Sequence, residues 1–460
     1  MLLLVPFLWA TQAASAVLAP SARADADATA NPACDAACMA AFEDALAGDR
    51  AMWATPNFAD DPFYNTPANF TGAKPGDLLS WQDLSAEQLG TNWTKIPGGM
   101  SLSRFLYVTE DVDRKPIPAS AFVLLPIAPL AANGVYNTIA WTHGTAGRAR
   151  QCAPSNNQQL YYEWMGPFFF ASQGYAVVAP DYAGQGTEIK AGFHYEAGYM
   201  HAADVAYSLV AARKVIGNLL SEEWVVAGHS EGGMTAWRTN ERLAMAGQEE
   251  LLKAGKFLGA VAGSPALRPA ELIPRSIELA AGGPLGAPVS VYLLQNLVGI
   301  YPELKLEEIL TERSLALLPL LDQGCLDTGA ALFGNMTAAE TYKSTAWLTS
   351  PQFREWQTKY NGAGPHPLAA PMLIVQGEAD SLTYAENCEK DFNRTCEAYP
   401  ESSVELYLVP ELGHGPGFQA GQAYFSAWVA RLFEGQTASP NCRKNVVKPT
   451  NFRYQHGRTG

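Results

Sequence analysis

Residues 224–232 read Trp-Val-Val-Ala-Gly-His-Ser-Glu-Gly, an apolar run that passes directly into the only G-x-S-x-G pattern of the chain. The segment from Glu231 onward is helical in character, so the pattern predicts a strand, a tight turn at Ser230 and a helix. Such a turn strains the serine backbone, and glycines two residues away on each side keep the strand and the helix from colliding. The Ser230 hydroxyl should therefore stand clear at the top of a sheet, as a candidate nucleophile.

A serine hydroxyl needs a histidine to take its proton and an acid to fix the tautomer of that histidine. Among the seven histidines, only His414 lies in a glycine-flanked loop between the last predicted strand and the last predicted helix. Asp380 follows the apolar run that begins at Met372, with Glu378 as the next candidate acid and a turn or helix-capping aspartate as the alternative reading. His229 is expected to support the turn. Ser230, Asp380 and His414 then follow one another in the order known from α/β-hydrolases.

Acyl transfer also needs hydrogen-bond donors at the developing oxyanion. The backbone N–H of Glu231, directly after the nucleophile, is one predicted donor. The other is Thr145, in the loop after the run from Thr138, with Ala146 as the neighbour that a shift of one residue would substitute. A plain glycine-rich turn is the alternative for this loop. The turn that begins at Asp181 is interpreted as structural.

Apolar β-branched runs alternate with segments of helical period, which predicts an α/β fold with a mostly parallel sheet flanked by helices. The predicted strands are Ala121–Pro126, Thr138–Thr142, Ala176–Pro180, Trp224–Ala227, Leu258–Ala262, Met372–Gln376 and Val404–Val409. The predicted helices are Leu160–Gln173, Ala197–Ile216, Gly232–Ala246, Tyr384–Phe392 and Gln419–Phe433.

About 110 residues separate the strands that end at Ala262 and begin at Met372, far more than one crossover needs. We predict an inserted, mobile helical cap over residues 265–368, with helical stretches at Ser290–Val298 and Leu306–Leu321; an extra layer packed on the core is the alternative. The core then comprises residues 25–264 and 369–435. Its first part, 25 to about 115, is expected to wrap the core as a leader with one short helix at Asp35–Leu46, and residues 436–460 form a tail.

The chain has 460 residues, 48% of them hydrophobic and 17% charged, with a net charge of −14, which argues against binding to nucleic acids and anionic membranes. Zinc-site cysteine spacing, G-x-G-x-x-G and Walker patterns are absent from the sequence, so no metal and no cofactor is expected. Residues 1–24 predict a secretory signal peptide, with an uncleaved membrane anchor as the alternative, and past Ala24 no apolar stretch is long enough to span a bilayer.

Other features agree with an extracellular protein. Four N-x-[ST] sequons, at Asn69, Asn92, Asn335 and Asn393, are candidate glycosylation sites. The seven cysteines predict disulfides with at least one thiol unpaired, but spacing alone does not fix their pairing (Cys34, Cys38, Cys152, Cys325, Cys388, Cys396 and Cys442).

Over residues 100 to 435, roughly, the sequence resembles the secreted fungal lipases of the lipase A type, an α/β-hydrolase group with a large helical cap. The segment Cys152-Ala153-Pro154-Ser155, the pair Asp181-Tyr182, the G-H-S-E-G pattern, the insertion and the Asp380 and His414 loops carry this similarity. It implies a carboxylic ester hydrolase that needs no cofactor, and a disulfide from Cys152 to Cys325 that tethers the cap. Cys396 would then pair with Cys442, while Cys34 would pair with Cys38 or Cys388.

The chain departs from this group at the oxyanion loop. The lipase A type has an acidic side chain shortly before the Cys-Ala-Pro-Ser segment, whereas residues 143–147 here read His-Gly-Thr-Ala-Gly. This loop is closer to that of a general esterase, so specificity for triacylglycerols does not follow from the resemblance.

The predicted function is therefore a secreted lipase or esterase that forms an acyl-enzyme on Ser230, with an acyltransferase or serine peptidase, or a noncatalytic binding protein of the same fold, as alternatives. A small-molecule or lipid ester substrate is expected, with a transient lipid interface and no obligate protein partner. Apolar cap side chains should line an acyl pocket, so Leu294→Asp or Leu318→Asp should weaken a preference for medium or longer acyl chains.

Overall fold

A computed structural model describes residues 33–448 except 132, 363 and 437. The predicted signal peptide, residues 1–24, and the last part of the predicted tail lie outside the described residues. Within residues 33–448, the helices are all too short or too polar to cross a membrane.

One sheet runs through the described part of the chain, in the order β1-β2-β3-β5-β4-β6-β7-β8-β9-β10. Its strands are β1 Leu78–Asp83, β2 Met100–Glu110, β3 Pro116–Pro126, β4 Tyr136–Thr142, β5 Ala176–Pro180, β6 Leu220–His229, β7 Lys256–Gly263, β8 Met372–Gly377, β9 Val404–Val409 and β10 Arg443–Val446. The pairs among β1, β2, β3 and β5 are antiparallel, and the others are parallel. The predicted α/β class with a mostly parallel sheet is confirmed.

All seven predicted strands are present, and three more extend the sheet at its two edges. The leader predicted for residues 25 to about 115 is wrong in part, because β1 and β2 lie within it. Its Asp, Asn, Pro and Gly content concealed the apolar run Phe105–Val108, which is fully buried in β2. Residues Arg443–Val446 of the predicted tail likewise belong to the sheet, since β10 pairs in parallel with β9.

Helices cover both faces of the sheet. Those in the described residues are α1 Ala36–Met52, α2 Ala86–Thr91, α3 Pro167–Ser172, α4 Gly198–Ile216, α5 Glu231–Ala244, α6 Pro269–Ala280, α7 Val289–Ile300, α8 Leu306–Ile309, α9 Glu312–Leu321, α10 Leu326–Phe333, α11 Ala338–Thr341, α12 Pro351–Trp356, α13 Ala385–Ala398, α14 His414–Ala420 and α15 Gln422–Phe433. The predicted helix Leu160–Gln173 is shortened to α3, and the predicted helix Leu306–Leu321 is divided into α8 and α9.

Successive residues of the central strands point to opposite faces, as the pleat of a strand requires. Val226 packs with α4 and α5 on one face, whereas Val225 packs with α3 and α15 on the other. Strands β4 to β9 all run parallel to one another. The loops that carry Thr145, Ser230, Asp380 and His414 follow the carboxyl ends of four of these strands and therefore lie at the same edge of the sheet.

Helices α6 to α12 lie between β7 and β8, in the stretch predicted as the cap. They have a hydrophobic core of their own, in which Leu294, Leu317 and Trp356 are fully buried. Helix α1 belongs to the same cluster, and the Asp49 carboxylate near its end accepts hydrogen bonds from the backbone N–H groups of Cys325 and Thr328. The N-terminal helix therefore fixes the cap, while the mobility of the cap stays a prediction.

Candidate active site

Ser230 lies between the end of β6 and the start of α5, with backbone angles φ 62° and ψ −122°. Its N–H donates to the carbonyl of Gly263 on the adjacent strand at 2.9 Å. A Cβ added to Gly228 would lie 1.9 Å from Thr142 Oγ1, and one added to Gly232 would lie 2.0 Å from the Thr142 carbonyl. The strained turn and its two glycines thus have the geometry that the sequence predicts.

His414 and Asp380 form a buried pair in which Nδ1 lies 2.8 Å from Oδ2. The Thr383 hydroxyl and the Gln376 amide also donate to Oδ2, while the N–H groups of Leu382 and Thr383 donate to Oδ1. Burial by itself raises the pKa of Asp380, but the hydrogen bonds from His414 and Thr383 outweigh it and hold that pKa well below its ordinary range. The carboxylate is therefore ionised at all physiological pH values.

The structure differs from the sequence prediction in how His414 is held. His414 is the first residue of α14 and not a loop residue, because the glycines around it still permit a turn of helix. The alternative acid, Glu378, is exposed, and among the described residues no hydrogen bond or ion pair joins its side chain to His414. Asp380 is thus the carboxylate that the fold brings to His414.

Ser230 and His414 line the same cavity, and none of the hydrogen bonds among the described residues joins their side chains. Catalytic hydrogen bonds are often long in the absence of substrate and tighten when it binds. Proton transfer would require the Ser230 hydroxyl and His414 Nε2 to approach to hydrogen-bonding distance.

The cavity has a volume of about 200 Å³ and is walled largely by the cap. Helix α6 contributes Leu272, Ile273 and Ile277, and α7 contributes Leu293. Within the described residues Leu294 and Leu318 are not part of this wall: Leu294 is fully buried in the core of the cap, and Leu318 packs against that core. The expectation that these two leucines face an acyl chain is therefore wrong.

The α6 wall has a signal in the sequence. Pro269, Leu272, Ile273, Ser276 and Ile277 recur at the spacing of one helical face, and all five line the cavity. Leu294 and Leu318 belong to pairs of adjacent leucines on α7 and α9, and of these four leucines only Leu293 is among the described residues that line the cavity.

The two predicted oxyanion donors belong to different elements of the fold. The backbone N–H of Glu231 is the first of α5 and so belongs to the amides that a helix leaves without an intrahelical partner. Thr145 lines the cavity, and its hydroxyl lies 2.8 Å from the Tyr195 hydroxyl. Ala146 instead faces the cap, since its carbonyl accepts from the N–H of Leu326.

A strained turn that the sequence analysis missed supports this loop. Four successive residues without glycine, from Leu160 to Glu163, have φ values of 55°, 42°, 86° and 39°. Left-handed backbone costs about 1–2 kcal/mol per residue, so tertiary contacts must hold it. The turn aims both tyrosines at the oxyanion region: the Tyr161 hydroxyl donates to the Thr145 carbonyl at 2.5 Å, and the Tyr162 hydroxyl lies 3.0 Å from His229 Nδ1.

His229 supports the site, as the sequence predicts. Its Nε2 lies 3.1 Å from the carbonyl of His414, and Ser264 Oγ donates to the same carbonyl. Burial, with the neighbouring His414, lowers the pKa of His229 to about 3, so its ring is neutral. One nitrogen of a neutral imidazole donates and the other accepts, which fits His229 between the His414 carbonyl and the Tyr162 hydroxyl.

The cysteines form three disulfides in the described residues, Cys34–Cys38, Cys152–Cys325 and Cys396–Cys442, and Cys388 is a buried free thiol. The second is the tether that the resemblance implies. It lies directly against the oxyanion loop, because a Cβ added to Gly147 would meet Cys152 Sγ at 2.9 Å.

Asp181 is a structural residue, as interpreted from the sequence. Its buried carboxylate accepts hydrogen bonds from the hydroxyls of Ser120 and Ser155 and from the N–H of Ser155. This contact joins β3 to the Cys-Ala-Pro-Ser segment. Among the residues that the structure describes, no group of three or more His, Cys, Asp or Glu side chains could hold a metal ion.

The sequence is similar to members of the alpha/beta hydrolase family and to two fungal lipases. A model of the alpha/beta hydrolase family matches residues 141–427. Lipase 4 of Candida albicans is 25% identical over 423 residues, with 86% of each chain covered. The secreted triacylglycerol lipase LIP1 of Malassezia furfur is 20% identical over 415 residues, covering 83% of this chain and 77% of the relative.

The fold is also similar to a solved structure. The X-ray structure of Candida antarctica lipase A superposes with a TM-score of 0.68 at 16% sequence identity, covering 86% of this chain and 90% of that chain. These matches confirm the resemblance to the lipase A type that the sequence motifs indicate.

Proposed function

Since the chain belongs to the alpha/beta hydrolase family and is a carboxylic ester hydrolase, we propose that it cleaves acyl esters through an acyl-enzyme on Ser230, with His414 as general base and Asp380 as its partner. One observation carries this proposal: the Asp380–His414 pair and the strained Ser230 turn meet in a cavity whose cap side is apolar. An apolar wall beside a nucleophile suits the acyl part of an ester.

In the first half-reaction, the Ser230 oxygen attacks the ester carbonyl carbon while His414 Nε2 takes the hydroxyl proton. The carbonyl oxygen becomes an oxyanion that accepts hydrogen bonds from two donors, the backbone N–H of Glu231 and Thr145. His414 then gives its proton to the alcohol oxygen as the bond from carbon to that oxygen breaks. The alcohol departs, and the acyl group stays on Ser230.

In the second half-reaction, water attacks the acyl carbon and gives a proton to His414. The bond to Ser230 breaks, the serine oxygen recovers the proton from His414, and the carboxylic acid is released. Asp380 accepts from Nδ1 throughout, which keeps Nε2 free to take a proton at each attack.

The substrate we propose is an ester with a medium or longer acyl chain, held against α6 and α7 by the cavity wall. Each methylene buried there contributes about 0.8 kcal/mol, which corresponds to roughly fourfold in kcat/KM per carbon until the cavity is full. Lipid esters meet this description, and a transient lipid interface at the mouth of the cavity stays a prediction.

A series of p-nitrophenyl esters from acetyl to dodecanoyl, with matched anilides, tests the function. We expect kcat/KM to rise with chain length, anilides to react far more slowly, and Ser230→Ala to lose about 10⁶-fold in kcat. Faster turnover of anilides than of esters would indicate a peptidase and not an esterase. A maximum of kcat/KM at the acetyl ester would indicate a site for small esters without an acyl pocket.

The protein is also proposed to be secreted, which its disulfides support. Of the four sequons, Asn69, Asn335 and Asn393 are exposed and Asn92 is half-buried, and we expect glycans at Asn335 and Asn393. The amide groups of Asn69 and Asn92 donate to the carbonyls of Leu79 and Ala54, bonds that a glycan would disrupt.

Peptide mass spectrometry after enzymatic deglycosylation of protein secreted from a eukaryotic host measures the occupancy of each sequon. We expect high occupancy at Asn335 and Asn393 and little at Asn92. Full occupancy at Asn92 in a folded, active protein would contradict this assignment.

A further inference from the structure

Two buried carboxyl groups adjoin the predicted oxyanion hole: one is the side chain of Glu231 itself, and the other belongs to Glu196, which lines the cavity. The Glu231 side chain is 0% exposed and that of Glu196 is 7% exposed. The backbone N–H of Glu196 donates to Glu231 Oε1 at 2.9 Å, while Oε2 of each carboxyl has no hydrogen-bond partner among the described residues. Two carboxyl oxygens without donors are a costly arrangement for anions.

No Lys or Arg in the described part of the chain forms an ion pair with either carboxyl. The nearest ring nitrogen is His201 Nδ1, 3.9 Å from Glu231 Oε1, and burial lowers the pKa of His201 to about 3, so this ring brings no positive charge. The other ionisable groups that face the pair are tyrosine hydroxyls, at Tyr162, Tyr182 and Tyr195, and burial raises the pKa of each of them. The pair therefore has no counterion at any working pH.

Under these conditions a carboxyl group keeps its proton. Burial raises the pKa of Glu231 to about 8, and burial together with the nearby Glu231 raises the pKa of Glu196 well above its ordinary range. Both side chains are accordingly neutral at pH 7, although each would be ionised on a protein surface.

The position of the pair gives this neutrality a consequence for the reaction. The oxyanion forms against the N–H of Glu231, the same residue whose side chain would carry the charge. Glu196 lines the cavity, and Thr145, the second donor, contacts the neighbouring Tyr195. A negative charge on this pair would oppose the charge that develops on the substrate.

We propose that Glu196 and Glu231 form a neutral carboxyl pair that keeps the oxyanion hole free of negative charge, and that ionisation of this pair slows acyl transfer. The inference rests on the proposed function for its effect on rate, but not for the protonation state itself. Both side chains are positioning groups, since they act through the backbone of Glu231 and the loop of Thr145. A like charge within several ångströms in a partly dry site should slow the reaction about 10- to 100-fold.

Infrared spectroscopy tests the protonation state without any turnover. We would record the absorption of protonated carboxyl groups in Ser230→Ala protein between pH 6 and pH 10, alone and with Glu196→Gln plus Glu231→Gln. When the spectrum of the variant with both Gln substitutions is subtracted from that of the Ser230→Ala protein, a protonated carboxyl band should remain at pH 7. This band should disappear above about pH 8 to 9. Asp204→Asn is the matched control, because Asp204 is a buried carboxyl on α4 whose pKa burial raises to about 7, and it should leave this difference band in place.

The pH profile of kcat/KM tests the effect on the reaction. The protein with both glutamates should lose activity as pH rises through about 8, and the double Gln variant should keep its own relative activity to pH 10, whatever its absolute rate. Asp204→Asn should retain the alkaline decline.

The absence of the protonated carboxyl band at pH 7 would overturn the proposal. It would also be overturned if the band were present but the alkaline decline in kcat/KM were the same in the double Gln variant as in the other proteins. A protein with the band but without esterase activity would refute the proposed function and the role of the pair in it, while leaving the protonation state established.

Discussion

Asp380→Asn should inactivate the enzyme without removing a single atom of bulk from the site. The N–H groups of Leu382 and Thr383 both donate to Oδ1 of Asp380, so an asparagine must place its carbonyl oxygen there. Its NH₂ group then replaces Oδ2 and faces His414 Nδ1, which lies 2.8 Å away in the natural protein. To accept from this NH₂ group, Nδ1 must lose its proton, which moves to Nε2.

A histidine protonated at Nε2 cannot take the proton of Ser230, so we expect kcat to fall about 10⁴-fold. This corresponds to about 5.4 kcal/mol of transition-state stabilisation at 1.36 kcal/mol for each factor of ten. The assay is hydrolysis of p-nitrophenyl octanoate at pH 7, with Glu378→Gln as control, because that neighbouring acid is exposed and its substitution should change kcat by less than twofold.

The same substitution should lower stability in a pH-dependent way. The folded-state pKa of Asp380 is depressed, so its ionisation contributes stability above the unfolded value of about 3.9, and this contribution is lost as pH falls toward the folded value. Denaturant titrations should therefore show a higher free energy of unfolding for the natural protein than for Asp380→Asn at pH 7, and this difference should become smaller below about pH 4. An Asp380→Asn protein that keeps more than one hundredth of kcat would refute the assignment of this acid.

Three further predictions concern the walls of the site. Cys152→Ser opens a tether across 173 residues and should lower the free energy of unfolding by about 2–4 kcal/mol, measured by denaturant titration, and an unchanged midpoint would contradict this. Ile273→Asp should lower the ratio of kcat/KM for octanoyl over acetyl esters at least tenfold, whereas Leu318→Asp, outside the cavity wall, should leave this ratio unchanged. A ratio that falls in Leu318→Asp and not in Ile273→Asp would mean that α9, and not α6, contacts the acyl chain. Tyr161→Phe removes the donor to the Thr145 carbonyl and should lower kcat about tenfold with little change in KM, while an effect on KM alone would argue against support of the oxyanion loop.

Much of the site follows from the sequence because parallel strands end at one edge. The apolar strand before Ser230, the run before Asp380 and the strand before His414 each have a short loop after them, and a mostly parallel sheet brings such loops together. The glycines at 228 and 232 mark the turn itself, since neither position has room for a Cβ.

The parts that the sequence conceals depend on contacts between distant segments. The left-handed turn at Tyr161 and Tyr162 contains no glycine, so nothing local indicates it, and its contacts with distant residues such as Thr145 and His229 help to hold it. The neutral state that we propose for Glu231 is equally invisible in the sequence, because it depends on complete burial beside Glu196, 35 residues earlier.

The edges of the sheet were missed for a different reason. Strand β10 reads Arg-Lys-Asn-Val and has no apolar pattern, because an edge strand outside the core needs only backbone pairing with β9 and its disulfide at Cys442. Strand β2 has a clear apolar run, but it lies in a region whose overall composition is typical of loops.

Ser230 should carry the acyl group during turnover, and chemical trapping of that group shows whether it does. We would mix the enzyme with excess p-nitrophenyl octanoate, quench it in acid within the first turnovers, and map the protein by mass spectrometry, with a fluorophosphonate as an irreversible second probe. We expect one octanoyl group per molecule in the first experiment and one phosphonyl group in the second, each on Ser230, and neither in Ser230→Ala. Turnover with no acyl group on Ser230, or with either label on another residue, would contradict it.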